Sequence, residues 1–257
     1  MIVAGVSSAS SSSSSQLVRD ALVLAAGNGD RFHNGTRQSK LLQPILGEPI
    51  IIRTLTTARD AGITRATVVL GYQADSLRAV IETALPAGLD VRFAYNPEWH
   101  LENGVSVLAA RASFTGRFAL LMGDHLFEAP VLARVLARHA GPGESLLAVD
   151  SRPTSPEIAA EATKVRMTGS RITAIGKDLT TYDALDTGMF VCAPTVFAAI
   201  DAARSGGDTT LSGGIRQLAA QRLMRGVDIG NAAWYDIDTM DDLQHAESLL
   251  AEQAETA

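Results

Sequence analysis

The chain has 257 residues, 46% of them apolar, enough to bury a sizeable core without disulfide or metal staples. A net charge of −6 and the lack of a basic stripe with interleaved aromatics exclude a nucleic-acid partner. No apolar run reaches the roughly 20 residues of a membrane span, and no secretory signal opens the chain, so a cytoplasmic protein without membrane insertion is expected.

Residues 1–18 carry Ser7, Ser8 and the run Ser10–Ser15, have nothing to bury, and read as a disordered leader. Residues 19–251 read as one domain, and the acidic, alanine-rich tail 252–257 as a frayed end. Within the domain, Ala21–Ala26 predicts a strand, Ile50–Ala61 a helix, Ala66–Leu70 a strand and Asp75–Thr83 a helix. Val91–Tyr95 predicts a strand closed by Asn96-Pro97, and Gly104–Arg111 a helix. Phe118–Met122 is an apolar strand, Pro130–His139 a helix and Ser145–Val149 a strand. This alternation implies an α/β fold with a Rossmann-like, mostly parallel sheet flanked by helices. After Pro153 the strands Thr163–Met167, Arg171–Ile175 and Thr187–Cys192 follow on short connections, so this C-terminal region is expected to be partly antiparallel. Thr195–Ala203 and Leu211–Arg222 predict helices, Val227–Gly230 precedes a strand end, and Met240–Ala251 predicts a closing helix with Asp238-Thr239 as its cap. Cys192, the single cysteine, sits in an apolar run and reads as a small buried hydrophobe.

The segment richest in chemistry is Leu24-Ala25-Ala26-Gly27-Asn28-Gly29-Asp30-Arg31, followed by Ser39-Lys40-Leu41-Leu42. Two glycines let backbone N–H groups turn toward a phosphate chain, and Arg31 and Lys40 add cationic donors. The spacing is neither that of a dinucleotide-binding loop nor that of a P-loop, and an ordinary strand–helix turn is the competing reading. A second signal is the apolar strand ending in Gly123-Asp124. It delivers a carboxylate to the sheet edge where α/β proteins bind ligands, a position suited to Mg²⁺, although a turn or helix cap would explain it too. His125 reads as a neutral neighbour of that site. On a strand, Asp236 and Asp238 would share one side, where like charges repel unless a cation lies between them; a helix cap alone would explain Asp238. Lys164, Lys177, Asp186 and Thr187 place two cations and two hydroxyl-binding groups at strand ends, with a solvated hairpin set as the alternative. Asn103, Gly104 and Ser106 follow the Asn-Pro turn and offer small groups to a base, or simply begin a helix.

The glycine loop with its arginine and lysine resembles the signature of nucleotidyltransferases that join a phosphate ester to a nucleoside triphosphate, with Asp30 and Ser39 where the pattern usually has threonine and proline. The order Glu161–Val165, Ile175–Leu179 and Asp186–Val191, with Met122–His125 and Trp234–Thr239, looks like inositol-1-phosphate cytidylyltransferases over about residues 20–250. The resemblance implies transfer of CMP from CTP to inositol 1-phosphate, giving CDP-inositol and pyrophosphate. Leu24–Asp30 with Asn103, Gly104 and Ser106 would hold the nucleotide, and Arg31 and Lys40 would be catalytic. Lys164, Lys177, Asp186 and Thr187 would hold the acceptor, and Asp124, Asp236 and Asp238 would hold Mg²⁺. Choline phosphate, a phosphonate or another cyclitol or sugar 1-phosphate are alternative acceptors, and a glycosyltransferase is the rival enzyme class. In many relatives a membrane transferase domain follows; this sequence ends instead, which would leave a second step to another protein. The oligomeric state is open, a homodimer among the options.

Overall fold

The computed structural model describes residues 17–30, 32, 38–152, 154 and 156–256. In chain order these form β1 (Asp20–Ala25), β2 (Pro44–Ile45), β3 (Glu48–Pro49), α1 (Ile50–Asp60), β4 (Arg65–Leu70), α2 (Ala74–Thr83), β5 (Asp90–Tyr95) and α3 (Asn103–Ala109). There follow β6 (Phe118–Met122), β7 (His125–Phe127), α4 (Ala129–Leu136), β8 (Ser145–Asp150), α5 (Pro156–Glu161), β9 (Lys164–Thr168), β10 (Arg171–Gly176) and β11 (Ala184–Cys192). The last elements are α6 (Thr195–Ser205), α7 (Leu211–Ala220), β12 (Met224–Asp228), β13 (Trp234–Asp236) and α8 (Met240–Thr256).

Nine strands share one sheet in the order β5-β4-β1-β6-β11-β8-β12-β10-β9. The pairs β5–β4, β4–β1, β1–β6 and β8–β12 are parallel, whereas β11 runs antiparallel to both β6 and β8. The alternation along β1 shows why the sheet is buried on both faces. Ala21, Val23 and Ala25 pack with α1, α2, α4 and α8, while Leu22, Leu24 and Ala26 pack with α3, α6 and α7. Such two-sided burial accounts for the unbroken apolar runs of β1 and β6. β9 also pairs with β11, so β11, β8, β12, β10 and β9 close on one another beside the parallel half. The expected α/β class and the partly antiparallel C-terminal region are both present.

Several expectations are corrected. Val18, assigned to the leader, is buried in the core. The expected frayed tail is instead helical through Thr256. The leader's serine run and Arg31 lie outside the described residues. β6 and β8, expected as successive strands, are separated by β11, which arrives from later in the chain and could not be placed by local pattern. Cys192 is buried, and burial pushes its thiol up to about 12, as expected of an inert core sulfur.

Candidate active site

Strand β1 runs into the glycine loop at the carboxyl edge of the sheet. The loop is held from both sides: Tyr72 N–H donates to the Ala26 carbonyl at 2.9 Å, and Phe32 N–H to the Gly29 carbonyl at 2.8 Å, with the Phe32 side chain buried. Gly29 has φ +63°, and a Cβ there would lie 3.2 Å from the Lys40 side-chain stem, so this glycine lets Lys40 pass beneath the loop. At Gly27 a Cβ would meet nothing within 4 Å, which leaves the backbone open to a ligand. Ser39 N–H donates to Gln73 Oε1 at 2.8 Å, fixing the segment that carries Lys40 against the end of β4. Sequence reasoning missed Gln73; Gly71, two residues earlier at the end of β4, was the available signal.

Lys40 is the hub. Its Nζ lies 2.6 Å from Asp124 Oδ2 and 3.0 Å from Asp238 Oδ1, and donates to the Ile237 carbonyl at 2.8 Å. Burial opposes its charge, but Asp124 and Asp238 outweigh burial and hold the ammonium above the ordinary lysine range. Asp238 is available for this because Thr239 caps α8: Thr239 N–H donates to Asp242 Oδ2 at 2.7 Å, and Asp242 N–H returns to Thr239 Oγ1 at 3.2 Å. A cleft of about 420 Å³ opens here, lined by Leu24, Ala25, Gly27, Asn28, Gly29, Asp30, Lys40, Leu41, Glu102, Asp124 and Asp238. That size suits a nucleotide-scale ligand.

Beside it, β7 and β13 form a two-stranded ribbon whose register sets His125 opposite Asp236. Nε2 of His125 is 3.3 Å from Asp236 Oδ1 and 3.9 Å from Asp124 Oδ1, and Nδ1 lies 2.9 Å from the Thr187 carbonyl. One ligand atom from each of Asp124, His125 and Asp236 falls within 4.8 Å of the others. His125 is thus the neighbour of the carboxylate site that was expected, but its expected neutrality is corrected. Burial disfavours its cation, yet Asp236 and then Asp124 outweigh this and push the imidazole up to about 10. Gly188, at φ +74°, makes room for the ring, since a Cβ there would sit 2.3 Å from His125 Nδ1. Gly188→Ala is expected to cost about 1–3 kcal/mol in urea unfolding, through overpacking at a positive φ. Parent-like unfolding would show that the seat of His125 is soft.

The structure brings the acceptor-side residues to the same edge but assigns them different tasks. Asp186 accepts from Gly188 N–H at 2.8 Å; burial pushes its carboxyl up to about 6, with Asp236 adding to the rise, while the Gly188 N–H and His125 oppose it. Lys177 is exposed. Lys164 is 8% exposed, and one of its three donors is taken by the Lys177 carbonyl at 2.6 Å, which ties the start of β9 to the residue after β10. Thr187 is fully buried, its hydroxyl donating to the Ala148 carbonyl at 2.9 Å, and does not face a ligand.

The base-binding expectation is corrected similarly. Ser106 is buried and its hydroxyl accepts from Asn96 Nδ2 at 3.0 Å. Gly104 is a packing glycine, since a Cβ there would lie 2.6 Å from the Thr209 carbonyl. The Asn103 side chain accepts from Leu211 N–H at 2.9 Å, at the start of α7. Glu102, just before them, lines the cleft instead. Ala26 is buried behind the loop rather than in the cleft.

The family model of the MobA-like NTP transferase domain matches residues 21–221. The chain belongs to this family. Among curated relatives of this NTP transferase domain, it is 33% identical over 233 residues to a "Bifunctional IPC transferase and DIPP synthase" of Rubrobacter xylanophilus, covering 90% of this chain and 51% of that protein. A protein of the same name from Thermococcus kodakarensis is 30% identical over 237 residues, covering 91% of this chain and 51% of the relative. The chain thus spans about half the length of the curated relatives it matches. Among solved structures, the inositol-1-phosphate CTP transferase from T. maritima superposes with a TM-score of 0.79 at 25% identity, covering 92% of this chain and 96% of that one. The nucleotidyltransferase resemblance carried by the glycine loop is borne out, and the cleft occupies the loop edge of an NTP transferase domain. No helix among the described residues is long and apolar enough to cross a membrane.

Proposed function

We propose that this chain transfers CMP from CTP to inositol 1-phosphate and releases pyrophosphate. The observation that carries this reading is the convergence of Lys40, 2.6 Å from Asp124, beneath a glycine loop whose backbone faces an open cleft. The similarity to inositol-phosphate cytidylyltransferases of archaeal and bacterial origin supports the choice of substrates.

The acceptor phosphate is already an anion at neutral pH, so the attack on the α-phosphorus of CTP needs no general base. The task is to bring two anions together in line. The Gly27–Asp30 backbone would cradle the β- and γ-phosphates, with Arg31 as the expected cationic partner from the same loop. Lys40 presents an ammonium to the α-phosphoryl group. Its three donors are used by Ile237, Asp124 and Asp238, so a phosphate oxygen bound there replaces one of these partners. Lys177 and Asp186 stand on the acceptor side. Asp124 and Asp236, with carboxylate oxygens within 4.8 Å of each other, fit a hard divalent cation and would hold Mg²⁺; His125 would orient Asp236, and Asp238, expected as a third ligand, is engaged by Lys40. When bound, that ion would neutralise phosphate charge in the transition state.

The test is a pyrophosphate-release panel of four nucleoside triphosphates against inositol 1-phosphate, choline phosphate, a sugar 1-phosphate and a phosphonate. CTP with inositol 1-phosphate is expected to give the highest kcat/KM. A higher value for another acceptor would reassign the substrate, and absence of release with every pair would overturn transferase activity.

A further inference from the structure

With Lys164 tied to a backbone carbonyl, the acceptor side of the cleft calls for another directed cation. Arg152 stands just beyond the carboxyl end of β8. At that end Asp150 is paired with Leu185 on β11, the residue before Asp186, and Leu185 is paired in turn with Lys164. Arg152 therefore belongs to the edge that carries Asp186, Lys164 and Lys177.

Its guanidinium is not loose. Nε donates to Asp150 Oδ1 at 2.9 Å and Nη2 to Asp150 Oδ2 at 2.7 Å, while the Arg152 backbone N–H also reaches Oδ1 at 3.0 Å. The same Oδ2 accepts the indole N–H of Trp234 at 2.9 Å. Trp234 shares a ribbon face with Asp236, and its ring lies 6.1 Å from the His125 ring at an interplanar angle of 29°. One carboxylate, 11% exposed, thus links the catalytic ribbon to an arginine whose side chain is 39% exposed.

A guanidinium has five N–H donors, and Asp150 engages only one edge of the fork. The other edge carries donors in a geometry matched to two phosphate oxygens. Because Asp150 and the nearby Asp228, which accepts from the adjacent Ser151 hydroxyl, together offset the charge of Arg152, this edge recognises a phosphate by direction and not by net charge. We propose that Arg152, oriented by Asp150 and Trp234, docks the phosphate of the acceptor; this rests on the transferase reading above.

The experiment is steady-state kinetics of Arg152→Ala, Arg152→Lys and Trp234→Phe, with CTP and inositol 1-phosphate varied in turn and unfolding followed in parallel. For Arg152→Ala the acceptor KM is expected to rise about 10- to 100-fold, as for loss of charge-assisted hydrogen bonds, with the KM for CTP unchanged. Arg152→Lys, which keeps the charge and loses the fork, is expected not to restore it. Trp234→Phe keeps a ring beside His125 but frees Asp150, and is expected to raise the acceptor KM by a smaller factor. An unchanged acceptor KM in Arg152→Ala overturns the assignment. So does a rise in both KM values together with lowered stability, which marks a structural role. If the parent protein uses a different phosphate monoester, only the acceptor's identity fails, and the variants are read on that monoester. If the parent releases no pyrophosphate with any acceptor, the transferase reading fails and the dock with it.

Discussion

Lys40→Met is expected to lower kcat for pyrophosphate release by on the order of 10²–10³, the range seen when a preorganised electrostatic donor is removed. Methionine keeps most of the stem that passes beneath Gly29 and deletes only the ammonium, so the loop should hold its shape. The loss falls on charge. Lys40 neutralises two carboxylates at 2.6 and 3.0 Å, and without it Asp124 and Asp238 face each other across a partly buried gap. Two consequences separate this variant from a misfolded one. Divalent-ion affinity, measured by calorimetry, should rise or hold, because the competing cation is gone. Stability should fall by about 1–3 kcal/mol, short of the cost of a fully buried broken pair because the carboxylates are about a fifth to a quarter exposed. Near-parental kcat would remove Lys40 from the chemistry.

Asp236→Asn is expected to act in the opposite direction on the ion and in the same direction on turnover. Asparagine preserves size but removes the charge that faces His125 Nε2 at 3.3 Å and completes the three-residue cluster. Mg²⁺ affinity should fall about 10- to 100-fold, and kcat by on the order of 10²–10³ at an Mg²⁺ concentration saturating for the parent. Removing divalent ions from the parent with a chelator should abolish turnover, and adding back Mg²⁺ should restore it. Turnover independent of chelation, with Asp236→Asn at parental activity, would disprove the metal assignment. A fall in ion affinity confined to the Asp236 variant is not what general destabilisation produces, since that weakens binding in both.

Much of this site was legible one segment at a time. The apolar run Leu22–Ala26 broken by Gly27 and Gly29 announces a strand feeding a phosphate-sized loop, and Met122-Gly123-Asp124 announces a carboxylate at a strand end. Both are legible from local pattern, although only Gly29 uses a positive φ; Gly123 is needed because a Cβ there would lie 2.6 Å from the Leu24 carbonyl. Residues whose partners lie far along the chain were misjudged. His125 looked neutral because Asp236, its cross-strand partner, joins it only through the β7–β13 ribbon. Nothing local shows that the Lys164 ammonium meets the Lys177 carbonyl. Ser106 and Thr187 looked available because a hydroxyl's burial is set by the elements that pack over it, here bringing Asn96 and the Ala148 carbonyl within reach.

From its amino acids alone this protein declares strands buried on two faces, a glycine loop, and acidic and cationic groups at strand ends. These follow from side-chain periodicity and backbone conformational freedom, which are local properties. Only the folded chain decides which charges meet: Lys40 with Asp124 and Asp238, His125 with Asp236, Arg152 with Asp150. Electrostatic and hydrogen-bond energies depend on separations of a few ångströms and on the water excluded around them, and strand order and register fix both.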